Sequence, residues 1–128
     1  MQNILDSVIA AVSEAGVPCE REYCRLAGYN RNDGKISSYA GIRRVRFERL
    51  HGGTADVSVQ VRITVQAFGA DGNAVQKCAE SVVVPAVMNC GEEVFGAEIS
   101  EVQYEPKTDR VYCKIIFDVK RCGYGICG

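Results

Sequence analysis

Residues 57–67 alternate without a break. Val57, Val59, Val61, Ile63, Val65 and Ala67 are apolar, and Ser58, Gln60, Arg62, Thr64 and Gln66 between them are polar. A period of two sends successive side chains to opposite faces. The stretch therefore predicts a strand with one face on a core and the other toward water or a neighbour. Val111, Cys113, Ile115, Phe117 and Val119 repeat the pattern in a strand expected over 111–121. Another strand, over 42–50, precedes the long one. Strict alternation puts Val45 and Phe47 on one face with Arg43 and Arg49, and Ile42 on the other with Arg44 and Arg46. His51-Gly52-Gly53 then joins the two runs as an antiparallel hairpin. Residues 20–26 read as a short strand and 95–104 as a strand of imperfect alternation. The turn Glu105-Pro106-Lys107-Thr108-Asp109 follows it.

Two segments have helical spacing instead. Ile4, Leu5, Val8, Ile9 and Val12 form one stripe in a helix over 3–15. Asn3 is its expected cap, and Gly16-Val17-Pro18 is its stop. Val75, Ala79, Val82, Val83, Ala86, Val87 and Cys90 mark the second helix, with Asn73 and Gln76 as a capping box and Gly91 as the end. Val82-Val83-Val84 alone reads equally well as strand, but both flanks continue the helical stripe. Pro85 interrupts that stripe and predicts a kink or an early end.

Residues 27–40 include Gly28, Asn30, Asn32, Asp33, Gly34, Ser37 and Ser38, and read as a long mobile loop. A loop of that length is often functional or ordered by a partner. The glycine- and cysteine-rich tail, 122–128, reads as flexible. No linker divides the chain, so residues 1–128 are expected to form a single domain. Its class is α+β: a single antiparallel sheet of about four strands, with two helices packed on one face.

Composition narrows the function classes. Hydrophobic residues make up 47% of the chain, enough for one core. A net charge of -1 supplies no broad field to attract nucleic acid or anionic lipid. No apolar run approaches the ~20 residues needed to span a bilayer, and no signal peptide is visible. The expectation is a soluble, non-secreted protein. The 7 cysteines are Cys19, Cys24, Cys78, Cys90, Cys113, Cys122 and Cys127. An odd number cannot all pair internally. Cys19/Cys24 and Cys122/Cys127 have a loose zinc-ligand spacing, but structural thiols in a reducing cytoplasm fit better. Neither metal nor cofactor is expected.

Catalytic signals are thin. His51, the only histidine, stands at a hairpin tip with no local nucleophile signature. Glu101 and Asp118 could meet as a carboxylate pair across the last hairpin. No glycine-rich phosphate loop is present. The densest charge cluster is Arg43, Arg44, Arg46 and Arg49, which the hairpin brings toward Arg62. Phosphate backbones bind such faces. The aromatic platform of single-strand binders is missing, however, because Phe47 falls on the opposite face. A solvated or interfacial role fits this face better than nucleic acid.

The order of elements resembles the tail terminator and tail completion (minor tail) proteins of long-tailed phages and prophages. The residues behind the resemblance are the first helix ending in Ala15-Gly16-Val17-Pro18, the long strand over 57–68, and the helix over 72–90. The last hairpin adds Tyr104 and Arg110-Val111-Tyr112. The resemblance implies a non-enzymatic virion protein that forms a homo-oligomeric ring, commonly hexameric. Such a ring caps the tail tube and joins it to the head–tail connector, and is assembled in the bacterial cytoplasm. Its candidate assembly interface is Arg44, Arg46, Gln60, Arg62, Thr64 and Gln66. The alternative is a small non-catalytic module that binds a ligand or a protein.

Overall fold

The computed structural model describes residues 2–22, 35–49 and 56–125. Helix α1 (Gln2–Glu14) starts one residue before the expected boundary, so Asn3, the expected cap, lies inside its first turn. The end follows the sequence. Gly16 adopts φ 102°, Val17 N–H reaches the Val12 carbonyl at 3.3 Å, and Gly16 N–H reaches that of Ser13 at 3.1 Å. This is a Schellman motif, and a side chain at Gly16 would strain it.

Six strands form one mixed sheet: β1 (Cys19–Arg21), β2 (Ser37–Arg49), β3 (Asp56–Gly69), β4 (Glu93–Ile99), β5 (Gln103–Glu105) and β6 (Arg110–Gly125). The order is β1-β2-β3-β6-β4, with β5 beside the start of β6. The four long strands, β2-β3-β6-β4, are antiparallel throughout. The expectation of about four antiparallel strands left the short strand expected over 20–26 out of the sheet; it forms as β1 and runs parallel to β2, while β5 arises from the end of the strand expected over 95–104. Both are three residues long, and which neighbour so short a strand joins does not show in its own pattern.

Three expected boundaries move for identifiable reasons. Residues 37–40, expected in the loop, are strand and buried. Ser38 keeps its polar atoms satisfied there: its N–H and Oγ both donate to the Pro18 carbonyl, at 2.8 and 3.0 Å. Of the rest of the expected loop, 27–34 lies outside the described residues, and Lys35 and Ile36 lead into β2. The strand expected over 95–104 is cut in two. Ser100 Oγ accepts from Lys114 N–H at 2.9 Å, a side chain standing where a ladder carbonyl would be. The expected tail is strand as far as Gly125, which pairs with Asp56 of β3, and residues 126–128 lie outside the described residues.

Helix α2 runs through 72–88, and Pro85 neither ends it nor leaves it purely α-helical. Its turn Ala79–Val83 is π-helical, with Val84 N–H bonded to the Ala79 carbonyl. The wider turn precedes the proline, which has no N–H to donate. It also sets the stripe. Val75, Ala79, Val83 and Val87 are fully buried at a spacing of four. In a pure α-helix four residues overshoot a turn by about 40°, and the π turn corrects that drift. The cap is the Asp71 side chain, which accepts from Asn73 N–H at 3.1 Å; the expected Asn73–Gln76 box is not used. Asp71 is the residue still in extended geometry, so it alone can aim a side chain back at the first turn.

Both helices cover the odd face of the sheet. Ile4, Leu5, Val8 and Val12 from α1 and the α2 stripe pack on Val59, Val61, Ile63, Val65, Cys113, Ile115, Phe117 and Val119. Glu92 ties the layers together: Arg121 Nη2 donates to it at 2.7 Å and Ser7 Oγ at 3.2 Å. Among the described residues no helix is long and apolar enough to cross a membrane.

Candidate functional site

The face opposite the helices brings all the predicted interface residues together. On β3 lie Gln60, Arg62, Thr64 and Gln66. On β2, Arg44 stands opposite Arg62 and Arg46 opposite Gln60. The hairpin register keeps this parity from Arg49 to Arg44, and a bulge then shifts it. Ile42 pairs with Ile63 and Arg44 with Arg62, so Arg43 is the extra residue. Strict alternation therefore fails at Ile42, which sits on the core side with Val45 and Phe47. The bulged Arg43 turns instead to Glu22, at 2.6 Å from Nη1 and 2.7 Å from Nη2.

The six residues are unequal. Arg62 faces Asp118 directly across β6, and its Nε donates to Oδ1 at 3.0 Å. That hydrogen bond and charge hold the guanidinium more firmly protonated, with a further contribution from Glu98. Arg44 and Arg46 are exposed, and Arg46 lies 3.8 Å from Glu48. Gln60 and Gln66 are half-buried. Thr64 is buried at 4% exposure and cannot offer its hydroxyl to a neighbour. The even face is therefore only partly open to solvent.

The burial of that face was invisible in the sequence because it depends on register. Tyr39, Phe68 and Tyr112 form an aromatic cluster on it, with ring centroids 5.6 and 5.3 Å apart. The Arg110 guanidinium lies 5.0 Å from the Phe68 ring and is itself buried. The only early signals were Phe68, in phase with the even positions, and the Arg110-Val111-Tyr112 run.

Other candidate chemistry does not assemble. Asp118 stands opposite Gly96 and bonds Arg62, so the Glu101–Asp118 pairing is not made across the hairpin. His51 and the side chains of Cys24, Cys122 and Cys127 lie outside the described residues. Cys19, Cys78, Cys90 and Cys113 are free thiols. Burial pushes Cys19 up to about 11, against a small lowering by Ser38, and raises Cys78 and Cys113 as well. Such thiols are poor nucleophiles. No group of three or more His, Cys, Asp or Glu that could hold a metal is found among the described residues. An open hollow of about 230 Å³ is lined by Leu5, Arg21, Glu22 and Arg43 among others. Its charges are engaged: Arg21 with Asp6, and Arg43 with Glu22.

What the face can do chemically is bind through charge and hydrogen bonds: two exposed arginines on the outer strand, glutamines beside them, and one satisfied ion pair at the centre. No protein-family model matches the sequence, and no curated protein matches it either.

Proposed function

We propose that this chain is a structural assembly protein of the phage or prophage tail-terminator kind, a protomer of a ring that caps a tail tube and docks the head–tail connector. The observation that carries the reading is the polar sheet face. Arg44 and Arg46 stand exposed on a rigid four-strand antiparallel frame, beside Gln60 and Gln66 and across from the Arg62–Asp118 pair. A ring protomer needs such a frame and a polar surface that a neighbour can line. The arginines lie on one side of a molecule whose net charge is -1, which favours a patterned protein partner over a nucleic-acid backbone.

Size exclusion with light scattering tests this. The full chain is expected to form a concentration-dependent ring of roughly six subunits. Arg46→Glu with Arg62→Glu is expected to weaken assembly while circular dichroism shows a folded chain. A strict monomer at all concentrations overturns the reading. It would favour a small non-catalytic binding module instead, with the hollow beside Leu5 and Ile42 as the place for its ligand.

A further inference from the structure

We infer that copies of this chain join edge to edge, the outer edge of β2 over 44–49 on one copy against the outer edge of β4 on the next. The inference rests on the ring reading and specifies its contact surface.

β4 ends the sheet, and β2 beyond its short pairing with β1 has an open outer edge among the described residues. β1 covers β2 only at Ser38, Tyr39 and Ala40, and β4 pairs only with β6. Among the described residues nothing pairs with the outer backbone of 44–49 or of β4. An open strand edge is a row of unused donors and acceptors, and proteins guard such edges with charge or pair them. Here the two guards have opposite sign. The β2 segment carries Arg44, Arg46 and Arg49 against Glu48; β4 carries Glu93 and Glu98 and no cation. Two β2 edges repel, as do two β4 edges, while a β2–β4 contact attracts. The same charges therefore disfavour symmetric pairing and permit only the head-to-tail one.

Each edge also displays an exposed phenylalanine, Phe47 at 59% and Phe95 at 56%. Phe95 owes its position to a bulge between Val94 and Gly96, just as Arg43 does on β2. Large exposed aromatics on an open edge are suited to contact across it. The two edges lie at opposite ends of the sheet, so a β2–β4 contact leaves one edge of each kind free on every pair. That contact is heterologous and propagates until rotation closes the ring.

The test uses the full chain with either edge reversed. One variant carries Arg44→Glu, Arg46→Glu and Arg49→Glu; the other carries Glu93→Lys and Glu98→Lys. Alone, each is expected to be monomeric or to self-associate at least tenfold more weakly than the wild type. Mixed in equal amounts they are expected to reassemble, because each supplies the edge the other needs. Phe47→Gln, a milder change at an exposed site, is expected to weaken association with the fold intact by circular dichroism, and answers the same question should a charge variant misfold. Wild-type rings that persist unchanged in every variant, or variants that disperse and do not recombine when mixed, overturn the edge contact and leave the ring reading standing. A wild-type chain that stays monomeric overturns both.

Discussion

Cys19 links one side chain to the stability of the whole chain. It packs in the core at 8% exposure, and burial raises its thiol from 9.0 to about 11. Below the lower value both folded and unfolded states keep the proton, and the contribution is complete. Between the two values the unfolded chain releases the proton first, so stability is lost as pH rises. The stability gap between wild type and Cys19→Ala, read from urea melts, is expected to shrink by about 2 kcal/mol from about pH 8 to about pH 10.5. A gap that does not change with pH would mean that the thiol is not buried in solution. Gly69 is a second single-residue control. A Cβ there would meet Val75 Cγ2 at 2.7 Å and Ile36 Cγ1 at 3.1 Å. Gly69→Ala is expected to cost about 1–3 kcal/mol by overpacking, measured as a lower urea midpoint.

At the scale of elements, the start of α2 separates two readings of the same residues. Asp71 caps the helix through Asn73 N–H, whereas sequence pattern favoured Asn73 with Gln76. Asp71→Ala is expected to cost about 1 kcal/mol, and Asn73→Ala to stay within about 0.5 kcal/mol of wild type, in the same denaturant titration. The contrast shows what a sequence can give. Long periods were legible: β3, β6, both helices and the face shared by Arg44, Arg46 and Arg62 all follow from spacing. Single-residue irregularities were not. The bulge at Arg43 moved Ile42 to the core side, and the π turn carried α2 past Pro85. Ser100 replaced one ladder bond with its side chain. Each of these depends on a neighbouring strand or turn, and a period taken along one segment contains no term for it. The aromatic cluster of Tyr39, Phe68 and Tyr112 escaped for the same reason, since three strands supply one ring each.

At the scale of the whole molecule, salt distinguishes the forces that would hold copies together. The net charge of -1 is too small for overall repulsion or steering to matter. Any salt dependence must come from local pairs, and the exposed candidates are the arginines of β2 and the glutamates of β4. Exposed charges are screened within ~10 Å at 0.1 M ionic strength, and an exposed ion pair contributes only ~0.2–1 kcal/mol. Several such pairs at each contact, repeated around a ring, still add up. Association is therefore expected to weaken severalfold as sodium chloride is raised from about 0.05 to about 0.5 M, followed by light scattering. The urea midpoint of the monomer is expected to move much less, because its core is apolar and its central pair, Arg62–Asp118, makes two contacts at 3.0 and 3.5 Å. Burial of Phe47 and Phe95 pulls the other way, since salting-out ions strengthen apolar contact. Sodium sulfate compared with sodium chloride at equal ionic strength exposes that second force. If chloride disperses the assembly and sulfate partly restores it, charge selects the edge and the aromatics hold it. Indifference to both salts would assign the contact to the glutamines of the polar face instead.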